Sequence, residues 1–210
     1  YEGLGAVYWH MVSKLLLATQ ESYFHAIADG ASADEIQNLA EAYYRVRGGL
    51  SFNKTAREYG AFPTDPYSHT PSHRGAQQPG MTGQVKEEVL TRLSELGVRI
   101  DRGQIVFRPT LLRRREFLET DAVWEMVDVH GQLQTINLPA GSLGFTYAQV
   151  PIVLHPGPSE TSITFKMDDG STVTQPGDTL DAAHSAMLFN RTGQITQIDV
   201  ILAADQIALD

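Results

Sequence analysis

Along GAVYWHMVSKLLLATQESYFHAIADG, apolar residues recur every three or four positions, with Val7, Met11 and Leu15 in one row and Tyr8, Val12 and Leu16 in the next. That period predicts a long helix with a broad apolar flank, stopped at Gly30 after Asp29. The next stretch, SADEIQNLAEAYYRVRGG, opens with Ser32 and Glu35 at capping-box spacing. It carries Ile36, Leu39, Ala40, Tyr43 and Val46 along one side and ends at Gly48 and Gly49. A third helix is predicted for TGQVKEEVLTRLSELG, with Val85, Val89, Leu93 and Leu96 as its apolar face and Gly97 as its stop.

From Val98 the period changes to two. In TSITFKM, Ile163, Phe165 and Met167 face one way and Thr164 and Lys166 the other, ahead of the turn DDGS. VWEMVDV and QLQTINL flank His130-Gly131, SAMLFN and QITQIDVIL flank RTG, and IVF, LGFTYAQV and PIVL fill the middle. Eight or more strands at this spacing predict an antiparallel β-sandwich. GSLGFTYAQVPIVL reads as buried strand, and Trp124 and Tyr147 as core aromatics, although in a free-standing binding module they could form a sugar platform. The expected class is α+β, with helices over 1–97, a long loop over 51–81, and a sandwich over 98–210 that includes the polar connector RRREFLETD.

The opening helix has apolar residues on more than one side, including Tyr8, Trp9, Phe24 and Ile27. It is therefore expected to pack against helices outside this chain, or to be covered by oligomerisation. The first residue, Tyr1, has no leader-like segment after it, so the chain is expected to be cut from something longer.

Composition narrows the partners. A chain of 210 residues that is 42% hydrophobic can bury a core, so disorder is not the expectation. No apolar run approaches the roughly 20 residues of a membrane-spanning helix. Even VSKLLLATQ is broken by Lys14 and Gln20, and the chain reads as soluble with no membrane partner. A net charge of −9 repels phosphate backbones, so nucleic acid is not expected, and the basic run Arg113, Arg114, Arg115 reads as a solvated surface. The chain has no cysteine, which excludes disulfides, thiolate nucleophiles and cysteine-ligated zinc.

One segment exceeds what a connection needs. FPTDPYSHTPSHRGAQQPGMTG, residues 62–83, holds four prolines with Asp65, Tyr67, His69, His73, Gln77 and Gln78. Loops of this length inside a domain are usually functional or disordered, and the prolines and aromatics favour order. An aromatic face beside carboxylate, amide and imidazole groups suits a sugar ring and its hydroxyls. A structural lid is the alternative. Trp9 and His10 at the start of the first helix could join such a site, although Trp9 also suits a core.

His69 and His73 stand four apart, but that spacing aligns metal ligands only on a helix, which Pro66 and Pro71 oppose. No metal or cofactor is expected. Glu87 and Glu88 are adjacent, diverge by about 100° on a helix, and cannot converge on one atom; Glu88 suits a pairing with Arg92. The amides of Met81, Thr82 and Gly83 at a helix start could hold an anion such as phosphate.

The order of elements, with GAQQPGMTGQVKEEVLTRLSELGVRIDRGQIVFRPTLL, resembles the end of the catalytic barrel in glycoside hydrolases and phosphorylases built on an (α/α)6 toroid, the maltose and kojibiose phosphorylase group. GAVYWHMVSKLLLA is similar to an inner barrel helix of that fold. The resemblance implies a glycine-rich loop at Gly80 and Gly83, a last barrel helix over 85–96, a strand pair over 98–109, and a C-terminal β-domain. It implies two-carboxylate sugar cleavage, or attack by phosphate, with one carboxylate late in the chain. Asp65 and Glu58 are the candidates for that role, and Trp9, His10, Tyr67, His69, His73, Gln77 and Gln78 for contacts with an oligosaccharide or polysaccharide. On this reading the chain alone is catalytically inactive. Two rivals stand beside it: a non-catalytic carbohydrate-binding or interaction module, and a sugar-processing metalloenzyme using His69 and His73.

Overall fold

The computed structural model describes residues 9–50, 82–157 and 160–203, with the side chains of 9, 10 and 82–85 left aside. Helix α1 spans Trp9–Ala28 and closes in a Schellman motif: Gly30, at φ +71°, donates to Ile27 and Ala31 donates to Ala26. Helix α2 spans Ala33–Arg47. Its expected capping box is present, with Glu35 N–H donating to Ser32 Oγ and Ser32 N–H to Glu35 Oε2. The Ser32 hydroxyl, which donates to Glu35 Oε2, and then the Ser32 N–H hold the Glu35 carboxyl below its ordinary value. Helix α3 spans Thr82–Glu95. The compact units divide at Arg92/Leu93, in the last turn of α3.

The faces that α1 and α3 bury differ from expectation. In α1 the Leu16 row turns inward with Ser13, Gln20, Tyr23 and Phe24, while Met11 and Leu15 are 57% and 54% exposed. In α3 the buried positions of the helical unit are Glu87 and Thr91, whereas Val89 and Leu90 are about half exposed. The apolar face assigned to α3 is therefore corrected at Val89. Buried Gln20 donates from Nε2 to the Thr91 main-chain carbonyl at 2.8 Å, so its amide is satisfied inside the helical unit.

In the second unit, β1 (Val98–Asp101) and β2 (Gln104–Phe107) form a hairpin around Arg102-Gly103, both with positive φ. This is the strand pair expected over 98–109. A 3-10 turn, Arg114–Glu116, leads into the hairpin β3 (Ala122–Val127) and β4 (Leu133–Leu138). The remaining strands are β5 (Leu143–Tyr147), β6 (Val150–Pro156), β7 (Ser162–Met167), β8 (Thr172–Pro176) and β9 (Ile195–Leu202). They make one sheet in the order β5-β6-β9-β7-β8. Helix α4, Ala182–Phe189, precedes β9. The class is α+β, and the second unit is sandwich-like.

One face of the sheet presents Ile152, Leu154, Ile163, Phe165, Ile198 and Val200. These residues share one core with Ile105 and Phe107 of β2, Leu180 and Leu188. Backbone bonds stitch the covering layer together: Phe107 donates to Asp178 and Leu180 to Ile105, while the buried Ser185 hydroxyl accepts from Ile105 N–H and donates to Leu180. On the opposite face, Trp124 and Leu138 of the β3–β4 hairpin lie so close over Gly144 that a Cβ there would meet the Leu138 methyls at about 3 Å.

Three expectations are corrected. SAMLFN is not a strand; Asp181 caps a helix there by accepting from His184 N–H, so the apolar residues follow a helical period. LGFTYAQV and PIVL do not divide at Pro151; the turn is Ala148-Gln149, with φ +51° and +63°, and nothing like Asn-Gly announces it. The sheet is not wholly antiparallel, because β6 and β9 pair in parallel.

Gly97 is indispensable on two grounds. Its φ is +83°, and a Cβ would collide with the backbone of Arg108 and Pro109, where Arg108 donates to the Gly97 carbonyl at 2.8 Å. Gly97→Ala is expected to destabilise the second unit by about 2–4 kcal/mol, read from the shift of its urea midpoint at unchanged slope.

Candidate functional site

Helix geometry first decides which groups of the helical unit can meet a ligand. Residues four apart share a face, so Glu87 and Thr91 stack one turn apart on the inner side of α3. Thr91 Oγ1 donates back to the carbonyls of Glu87 and Glu88 at 3.0 Å each, leaving its own carbonyl to Gln20. Glu87 is only 4% exposed, and its Oε2 has no hydrogen-bond partner among the described residues; the same holds for the buried Ser13 Oγ of α1. A buried polar atom without a partner costs about 1–3 kcal/mol in proteins. Both atoms lie among the described residues of the helical unit.

The residues expected from sequence fall mostly elsewhere. Glu58, Asp65, Tyr67, His69, His73, Gln77 and Gln78 lie outside the described residues, as does the aspartate-and-histidine metal reading of that segment. Trp9 and His10 stand in the first turn of α1, their side chains outside the description. Trp124 is half-buried against Gly144, and Tyr147 packs beside the second unit's core, where burial pushes its hydroxyl pKa up. Arg114 and Arg115 are exposed. Among the described residues no cluster of three or more His, Asp or Glu is placed to hold a metal, and no helix is long and apolar enough to cross a membrane.

Two imidazole–carboxylate pairs occur in the second unit. His184 Nδ1 lies 2.6 Å from Asp181 Oδ2, and its ring packs on Phe165 at 4.2 Å between centroids. Burial works to raise the Asp181 carboxyl, but bonds from the His184 backbone and ring outweigh it and hold it low. The neighbouring Ser185 is spent on Ile105 and Leu180, so no nucleophile joins this pair.

On the face of the sheet that carries Gly144, His155 Nε2 lies 3.0 Å from Asp199 Oδ1, and Gln197 Nε2 donates to both Asp199 oxygens. Lys166 Nζ stands 3.8 Å from Asp199 Oδ2. Burial works to raise the Asp199 carboxyl, while the His155 bond, the Lys166 charge and the Gln197 amide together bring it below the ordinary value. Every group here satisfies another, which describes a fastener across β6, β9 and β7 rather than a reactive centre.

No protein-family model matches this chain, and no curated protein matches it.

Sequence reasoning passed over Glu87 because it weighed the residue only as half of an adjacent pair. Glu87, Thr91 and Glu95 stand four apart, and that row of polar residues on one helix face is the signal that could have found it; in the structure all three are buried.

A depressed carboxylate stabilises the fold above its unfolded pKa and loses that contribution as pH falls through the folded one. The second unit is therefore expected to weaken as pH drops below about 4, and Asp199→Asn should reduce the slope of urea midpoint against pH. An unchanged slope would show that Asp199 does not contribute.

Proposed function

We propose that this chain is the C-terminal part of a carbohydrate-active enzyme, a glycoside hydrolase or phosphorylase, whose helices complete an (α/α)6 toroid and whose β-unit buttresses it. The observation that supports this is the inverted burial of α1 and α3, which enclose Ser13, Gln20, Glu87 and Thr91 and present Met11, Leu15, Val89 and Leu90 outward. An isolated small bundle gains by the opposite arrangement, because exposed apolar rows forgo about 25 cal/mol per Å2 of area. Helices lying between a polar cleft and further apolar neighbours gain by this one. The exposed Met11–Leu15 row also favours this reading over a self-contained binding module, in which α1 would be wrapped.

In this scheme Asp65 and Glu58 are the carboxylates assigned to proton transfer, with Tyr67, His69, His73, Gln77 and Gln78 as hydroxyl and ring contacts beside Trp9 and His10. An oligosaccharide or polysaccharide is the substrate, and further helices of the parent protein, or a second copy, cover the outward rows. Glu87 Oε2 supplies an acceptor for a hydroxyl deep in the cleft.

The test uses the full-length parent protein and a panel of oligosaccharides, with and without phosphate. Asp65→Asn is expected to lower kcat by about 10²–10⁴, and His69→Ala to raise KM. Unchanged turnover and affinity in both would remove the loop from the site. Glu87→Met should raise stability by about 1–3 kcal/mol while weakening saccharide affinity; a loss of stability would show Glu87 to be structurally partnered.

A further inference from the structure

The second unit has a hollow of about 100 Å3 at the tip of the β3–β4 hairpin. Parallel pairing creates it. Because β6 and β9 run the same way, Val150 and Thr196 lie at the same end of the sheet, so the turns that enter these two strands are neighbours. The hairpin tip, residues 128–132, closes the third side.

The polar groups around this hollow are held in fixed orientations. Asp128 Oδ1 accepts from the N–H groups of His130 and Gln132 at 2.9 Å each, and Oδ2 accepts from Gln134 Nε2 at 2.7 Å. These bonds, the Gln132 backbone first, keep the Asp128 carboxyl below its ordinary value. Gln149 Nε2 donates to the Asp128 carbonyl at 3.0 Å. Both carboxamides therefore turn their NH2 groups to Asp128, and among the described residues their oxygens have no partner. Thr196 Oγ1 donates to the Lys166 carbonyl, which leaves its lone pairs as acceptors. Ile136 and Pro151 supply apolar wall.

Two backbone features maintain this arrangement against local preference. Ala148 and Gln149 both hold positive φ, at +51° and +63°, where Asn-Gly would fit best. Gln149 thus keeps a side chain where glycine would relieve strain, and that side chain is used in the hollow. On the other wall the His130 ring lies where any Cβ on Gly193 would be.

We propose that this hollow is a binding subsite for one neutral saccharide ring. The groups offered are acceptors around a carboxylate, with apolar wall beside them, so the matching ligand donates several O–H groups and carries an apolar ring face. An anion is repelled by Asp128. A dry cavity of about 150 Å3 takes a benzene ring, so a hollow of this size seats part of one ring and leaves the rest in solvent, giving weak, millimolar affinity. The subsite does not rest on the proposed enzymatic function, since it uses different residues in the other unit.

The test titrates D-glucose and maltose, with choline and inorganic phosphate as comparators, into the 15N-labelled 210-residue chain. Saturable amide shifts at His130, Gln132, Gln149 and Gly193 are expected with the sugars. Gln149→Gly should weaken binding at least about tenfold while holding or raising Tm, because glycine suits this turn. Gln134→Ala, at an exposed position, should weaken it without unfolding the chain. Silent sugars, sugar binding unaltered in both variants, or shifts at these amides with choline or phosphate alone would overturn the proposal. Loss of turnover in the parent protein reads the other unit, so the two failures are distinguishable.

Discussion

The second unit depends on the parallel pairing of β9 with β6. A parallel neighbour cannot be reached through a tight turn, so the chain must travel through β7, β8 and α4 before β9 inserts between β6 and β7. That insertion places Ile198 and Val200 at the centre of the core, fully buried between Ile152 and Leu154 on one side and Ile163 and Phe165 on the other. It also puts α4 on the core face and the entry turns of β6 and β9 side by side. On the opposite face the same pairing brings His155, Asp199 and Lys166 together from three strands.

The helical unit obeys a different constraint. A buried amide or carboxylate must find a partner, and the Gln20–Thr91 bond satisfies one such demand between α1 and α3. Ser13 and Gln20 share the buried side of α1 with Leu16, and Glu87 and Thr91 that of α3, while Met11, Leu15, Val89 and Leu90 lie outward. Leaving Glu87 Oε2 and Ser13 Oγ buried without a partner among the described residues costs stability.

Local signals in the sequence were reliable wherever a single residue has a single physical use. Ser32 and Glu35 form their capping box, Gly30 ends α1 through positive φ, and Ile163 and Phe165 alternate with Thr164 into the core. The hairpin around His130-Gly131 was equally legible, because glycine at positive φ marks the turn. These features determined the α+β class and most strand positions.

Tertiary structure decided what local pattern leaves open. Ala148-Gln149 makes a turn that its residue types oppose, held by a cross-hairpin bond to Asp128. SAMLFN is equally apolar as strand or helix, and the Asp181 cap with the Ser185 tie to β2 selects the helix. Gln20 finds its partner seventy-one residues away, and β9 pairs with residues forty-six positions earlier, as Ile198 does with Ile152. Caps, turns and periodicity act over a few residues, so the sequence by itself determined most elements, the helix Ala182–Phe189 and the turn at Ala148-Gln149 excepted. Only the fold could fix which faces meet, because hydrogen-bond partners and parallel neighbours are chosen across the chain.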